Sequence, residues 1–293
     1  MSAELELVRL EARTLRAAEL GAFLGRVAEL RVLLARELAG DVKNIVLAML
    51  PPAVEAQLLA AVADAYQLGA DDALLILDDM GLDDVRRVGR PSKAARATVK
   101  GVDRAGRTAL VQAQRLARLP DVAEADVLAP LFGHADRLQR AASDGINMSG
   151  NEGVRAVSDA AGLPIVWVAE TDACVHCLAY SGTVVARGES FPGGLTYAAK
   201  AYHTTPIRTP PRHPRCRCTL EPLRSQEYAD ALKREADRSV LRGFSLESES
   251  MGTRIDAAKR LVERGVDAPQ SVIDYARRSV KRGTFATRGR PGG

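Results

Sequence analysis

The sequence predicts a mainly α protein: a long helical N-terminal body over residues 1–143, a small α+β module over 144–223, and a basic helical tail over 224–293. Three observations predict it. Apolar residues make up 46% of the chain and aromatics only 4%, with alanine, leucine and arginine abundant, a makeup suited to helices packed on helices through aliphatic stripes. Apolar positions recur at helical spacing over most of the length. The one segment that breaks this pattern, just after Gly162, also holds all four cysteines, inside a window of 45 residues.

In chain order, Leu10, Ala17, Leu20, Leu24, Val27, Leu30, Leu34 and Leu38 recur with Glu and Arg between them, which predicts a long amphipathic helix from Glu4 to about Leu38. Pro51-Pro52 breaks the next segment, and "AVEAQLLAAVADAYQLG" resumes as a helix expected to stop at Gly69. A further helix begins near Ser92, a good N-cap, and runs to Pro120, weakened by Gly101 and Gly106. "PLFGHADRLQRAASDGINMSGNEGVRAVSDAAG" continues as helix. Then "PIVWVAET" and "GTVVA" read as short strands and "SFPGGLTY" and "TTPIRTPP" as loops. From Arg224 helix returns in "SQEYADALKREADRSVLRG", "TRIDAAKRLVERG" and "PQSVIDYARRSVKRG", ahead of a disordered "TRGRPGG" end.

At 293 residues the chain exceeds what one ordinary core needs, so more than one compact body is expected. No apolar run is long enough to span a membrane, and "MSAELELVRLEARTL" is charged where a signal peptide is apolar. These features place the chain in a cytoplasm, where clustered thiols more often hold metal than form disulfides.

The thiols carry the chemistry. Cys174 and Cys177 have the spacing of a chelating knuckle, His213 and Cys216 repeat it with an imidazole, and Cys218 adds a third thiol that a strand would aim to the same side. Five donors thus compete for the four places of a tetrahedral ion. Zinc suits soft nitrogen and sulfur ligands in a closed site, and such a staple would order the 35-residue loop between the knuckles. The alternatives are reduced thiols without a ligand, or disulfides. His176 and His203 are weaker candidates, since His176 lies inside the knuckle and points away.

A catalytic constellation is missing. A zinc deaminase pairs its metal with a glutamate in H-x-E or C-x-E and with P-C-x-x-C, and neither occurs. Nor does H-E-x-x-H, G-x-S-x-G, a P-loop, or G-x-G-x-x-G after a strand. Four protein ligands leave no position for water, the mark of a structural site. Asp172 is expected to hydrogen-bond the thiolate loop, Arg217 to project away from the metal toward a carboxylate or partner, and Trp167, the single tryptophan, to anchor the module's core.

Charge adds a second thread. Residues 224–293 hold 15 basic and 10 acidic side chains, more than the whole chain's excess of +4. Lys93, Arg96, Lys100, Arg104 and Arg107 follow at helical spacing and make a basic stripe that faces packaged DNA, an acidic partner, or solvent. From Lys200 to Arg217 the loop is basic, with no acid between Glu189 and Glu221.

The stretch "WVAETDACVHC", the Gly182 turn, the proline-rich loop and "PPRHPRCRC" together resemble the C-terminal module of phage head morphogenesis proteins, the Mu F-like minor capsid family. The matching residues are Trp167, Asp172, Cys174, Cys177, Gly182, Pro210, His213, Pro214, Cys216, Arg217 and Cys218, and the likeness covers about residues 140–223. In "CLAYSG", Ser181 stands where the family often has aspartate. The resemblance implies a minor capsid protein present in few copies per head, acting with the portal and with the major capsid or scaffold protein. It would sit in the virion head or at the portal vertex, and in the host cytoplasm during assembly. It would have no enzymatic turnover, no small-molecule substrate and no membrane. A zinc-containing nucleic-acid-binding protein or a metal-dependent nuclease is the other class, favoured by the sequence pI near 9.0 and the basic stripe.

Overall fold

The computed structural model describes residues 52–82, 85, 108–109, 111–113, 115–116, 118–201, 204–213, 216–244 and 249–286. The helix expected over Glu4 to Leu38, the basic stripe from Lys93 to Arg107, and the end of the tail lie outside the described residues. What is described is mainly α with one small antiparallel sheet. No described helix is long and apolar enough to cross a membrane.

The elements in chain order are α1 (Pro52–Asp79), α2 (Glu124–Ala160), β1 (Ile165–Val168), α3 (Val175–Leu178), β2 (Val184–Val185), β3 (Thr219–Pro222), α4 (Gln226–Arg242), α5 (Met251–Arg264) and α6 (Gln270–Arg282). The described residues fall into two compact units. One contains 52–72 and those from 108 to 153, the other 73–82 and 154–286. The thiol segment and the three tail helices therefore share one unit.

In the first unit, α1 corrects the expected stop at Gly69, because the helix runs on to Asp79. Gly69 works as a packing residue: a Cβ there would collide with the carbonyl of Gly150, and one on Gly153 would collide with the carbonyl of Tyr66. The two helices approach backbone to backbone, and Ser149 Oγ donates to the Val62 carbonyl at 2.6 Å across the same seam. A glycine in a helix reads as a stop only when no neighbour needs its missing side chain.

In the second unit, β1 is the centre strand, between β2 and β3 in the order β2-β1-β3. Ile165 and Val166 face Val185 and Val184 on one side, and Val166 to Val168 face Glu221 to Thr219 on the other. All four β1 residues are buried because both faces of the strand are covered. Val166 and Val168 pack on Ala229 of α4, with Tyr228 and Leu232 beside them. On the opposite face Trp167 lies 4.9 Å from the Tyr180 ring and 5.1 Å, edge-on, from Phe191. Both strands read from "PIVWVAET" and "GTVVA" are present; β3, with a glutamate and a proline in four residues, has no alternation to announce it.

The tail helices follow local signals closely. Ser225 and Ser250 accept hydrogen bonds from Tyr228 N at 3.2 Å and Thr253 N at 3.1 Å, capping α4 and α5. Gly243, Gly265 and Gly283 end α4, α5 and α6 in the left-handed conformation. The three helices pack on one another, and α4 and α5 also pack on α3, the short helix that carries Cys177.

Gly153→Ala tests the close helix approach. Alanine raises intrinsic helix propensity by roughly 1 kcal/mol over glycine, but the added Cβ meets backbone atoms that have no side-chain freedom to move. The expected result is a net loss of about 1–3 kcal/mol, read as a lower urea midpoint with an unchanged slope. A gain in stability would show that α1 and α2 do not touch at this point.

Candidate metal centre

Two turns from distant parts of the chain bring the soft donors together. In the first, Cys174 is the N-cap of α3, with extended backbone, and its sulfur accepts the Cys177 N–H at 3.5 Å. One turn of helix then places Cys177 on the same side as Cys174. In the second, the Cys216 N–H donates to the His213 carbonyl at 3.1 Å, closing a turn over His213-x-x-Cys216. Residues 216–218 precede β3, so the pairing of Cys216 with Cys218 arises from loop conformation, and both side chains are buried.

The distances suit a shared ion. His213 Nε2 lies 3.2 Å from Cys174 Sγ and 3.0 Å from Cys177 Sγ, and Cys177 Sγ lies 3.6 Å from Cys216 Sγ. A tetrahedral ion with zinc-like bond lengths separates two sulfurs by about 3.8 Å and a sulfur from a nitrogen by about 3.6 Å. A disulfide requires about 2.05 Å, and all four cysteines are free thiols. Cys174, Cys177 and His213 form one triad whose donor atoms lie within 4.8 Å of one another, and Cys177, Cys216 and Cys218 form another. Cys177 belongs to both, so the five donors make one cluster able to hold a metal ion.

The thiols perturb one another's protonation, which an ion would change. Hydrogen bonding from the Cys177 thiol holds both Cys174 and Cys216 well below the usual thiol range. Cys177 is pushed up, first by the hydrogen bond it shares with Cys174, and Cys218 is pushed up by complete burial. Without a cation the thiols share protons among themselves; a divalent cation replaces those protons and allows more sulfurs to ionise. The Trp167 indole nitrogen is buried with no acceptor in hydrogen-bond geometry, yet it lies close enough to Cys218 to favour that residue's thiolate. Trp167 is thus both the core anchor and a wall of the thiol cluster.

Asp172 and Arg217 form an ion pair with each other, on the partly exposed rim of the site. Arg217 does turn outward to a carboxylate, and that carboxylate is Asp172, which thereby bonds to the thiol loop through the arginine between Cys216 and Cys218. His176 Nδ1 lies 2.7 Å from Thr196 Oγ1, outside the cluster. His203 and the stripe Lys93, Arg96, Lys100, Arg104 and Arg107 lie outside the described residues.

Several buried polar groups that hold the site come from elsewhere in the chain. Glu249, just before α5, accepts the Val175 N–H at 2.8 Å, and Arg254, fully buried, donates to the Ala173 carbonyl at 2.8 Å. Arg254 Nε lies 2.9 Å from Glu249 Oε2 in an ion pair whose angle falls short of a hydrogen bond. The pair clamps the backbone on both sides of Cys174. Burial raises the Glu249 carboxyl and lowers the Arg254 guanidinium, while each partner's charge opposes the shift, as does the Cys174 thiolate for the arginine. No periodicity marks either residue; a glutamate one position before an N-cap serine was the single cue.

The loop between the knuckles is held by side chains as well as by any metal. Arg155 of α2, almost fully buried, donates to the carbonyls of Glu189 and Arg208, and Arg212 donates to the Leu195 carbonyl at 2.7 Å with its guanidinium 4.5 Å above the Tyr180 ring. Phe191 and Ile207 pair as an antiparallel bridge. Tyr197 donates to Asp237 at 2.5 Å and accepts from Lys233 at 2.6 Å, which fastens the loop to α4.

Removing one partner of the clamp exposes its role. Glu249→Ala leaves a buried guanidinium without its counter-charge, which costs about 3–5 kcal/mol, and frees the Val175 N–H beside the candidate ligands. The expected outcome is a lower thermal midpoint for the second unit together with faster metal loss to a chelator. Wild-type behaviour in both measurements would show that Glu249 is a bystander.

Comparison with family models, with curated proteins and with solved structures finds no match to this chain.

Proposed function

We propose that this chain is a minor head protein of a tailed bacteriophage, acting in head assembly near the portal by contact and without turnover, and that its thiol cluster holds one structural zinc ion. The observation that carries the reading is the convergence of Cys174, Cys177, His213, Cys216 and Cys218, the same residues through which the sequence resembles the Mu F-like minor capsid family. Zinc fits the donor set: thiolate and imidazole in near-tetrahedral spacing, with no oxygen ligand among the clustered groups. Cys174, Cys177 and Cys216 with either His213 or Cys218 complete four places, and the remaining donor lies against the site.

A contact role is favoured over a metal-dependent nuclease by the carboxylates. A hydrolytic metal needs an open position and a nearby group to move a proton. Asp172 is engaged by Arg217, and Glu249 by Arg254 and the Val175 N–H, so the two acids beside the knuckle are already committed to structure. Bound zinc would order the two turns and the loop between them, presenting a fixed surface to the portal or shell.

Purified protein is expected to carry about one zinc per chain. Cys174→Ser should weaken zinc retention and destabilise residues 165–223; metal-free wild-type protein from zinc-replete cells, with four freely reactive thiols, would overturn the staple. Co-expression with a neighbouring portal gene tests the assembly role. The expected outcome is co-purification in sub-stoichiometric amounts, and deletion in the phage should leave shells that assemble but fill with DNA poorly. Infectious, DNA-filled heads at normal yield without the protein would refute it.

A further inference from the structure

The net positive charge of this chain is matched by a local excess near one end of its sequence. Residues 269–293 hold six basic side chains and one acidic, so the other 268 residues are close to neutral, with 35 basic and 36 acidic. Four of the six lie on α6. Ala276 and Ser279 form its buried side, while Arg277, Arg278, Lys281 and Arg282 are all exposed. At about 100° per residue these four occupy an arc of roughly 140° opposite the buried side.

Local structure accounts for only part of this face. Lys281 and Arg282, in the last turn, complement the negative end of the helix dipole, but Arg277 and Arg278 lie before that turn. Asp274 neutralises Arg277 at 3.4 Å, and Arg282 donates to Ser279 Oγ at 3.3 Å. Among the described residues, Arg278 and Lys281 meet no carboxylate. The helix that displays them is anchored. Phe285, buried, packs 6.1 Å from the Tyr275 ring and closes against Gly243, and Tyr275 Oη accepts the Ala286 N–H at 3.2 Å.

From this geometry we propose that the exposed face of α6, through Arg278, Lys281 and Arg282, binds the phosphate backbone of duplex DNA without reading its sequence. The three side chains span about 6 Å along the helix axis, enough to meet about two successive phosphates of one strand. An anchored helix presents them at little ordering cost. The one aromatic ring of α6, Tyr275, is engaged with Phe285, so this face has no platform for stacking the bases of a single strand. The site shares no residue with the metal centre or with the Lys93–Arg107 stripe, and it is tested without any portal.

The test is fluorescence anisotropy of the full-length protein with a labelled duplex, titrated at salt from about 50 mM to about 200 mM. Wild type should bind with a steep salt dependence. Arg278→Gln/Lys281→Gln/Arg282→Gln should weaken binding at least about tenfold and make the log–log slope shallower by about 0.9 for each lost contact. Its thermal midpoint and metal content should match wild type. Arg278→Lys/Arg282→Lys, which keeps the charge, should bind nearly as wild type does. No duplex binding by wild type at low salt overturns the proposal, as does a Gln variant that binds like wild type. Two further results also overturn it: tighter binding to polyglutamate than to the duplex, which identifies a protein partner, and loss of all DNA binding on reversing Lys93, Arg96 and Lys100 while the Gln variant retains it.

Discussion

Crowding sulfur donors into one buried site is the constraint around which the rest of the second unit is arranged. Cys177, Cys216 and Cys218 are buried, and Cys174 and His213 are half-buried at the rim. Thiolates so close repel one another and lose their hydration, so the cluster is tolerable only if protons or a cation neutralise it. The surrounding fold supplies what a metal does not: the Cys177 N–H on the Cys174 sulfur, an indole beside Cys218, and a buried arginine whose charge is felt at Cys174. A bound ion would replace the shared protons and tie the two turns together.

Buried arginine is the recurring device that positions this site. Arg155, Arg212 and Arg254 each sit below a tenth exposed and each donates to backbone carbonyls of the thiol segment. A guanidinium offers five donors in a planar fork and can satisfy several carbonyls of an irregular loop at once, which a lysine cannot. The loop between the knuckles has little sheet or helix of its own, so its carbonyls would otherwise be left without partners on burial. Arg155 and Arg254 also keep a carboxylate nearby, Asp159 and Glu249, which offsets the cost of burying the charge.

The tail helices are part of the site's architecture. α4 closes one face of β1 and approaches so near the Gly182 turn that a Cβ there would strike the Ala229 carbonyl, while Gly182 itself holds a positive φ of 76°. α5 and the residues just before it bring Arg254 and Glu249 to the backbone on either side of Cys174. With α4 and α5 both committed inward, α6 is left to pack on their far side and to carry its basic side chains outward.

How much of this was legible in the sequence follows from the range of each interaction. The donor types and their spacing, the strands around Trp167 and Val184, and the helix ends at Gly243, Gly265 and Gly283 all express contacts within a few residues, and such contacts leave periodicity, cap and turn signals. Gly69 carries the signal of a helix end although the helix continues through it, because the same residue type ends a helix or admits a neighbouring backbone, and only the neighbour, Gly150, distinguishes the two. Asp172 with Arg217, Cys174 with His213, and Arg254 with Ala173 join residues 45, 39 and 81 positions apart. No local pattern encodes which partner each will find, because that is settled by which groups are buried together once the chain has closed on itself. The sequence by itself determined a mainly α chain with a metal-type donor set. Tertiary structure alone decided that the donors form one cluster, which buried charges clamp it, and which helix faces water with its arginines.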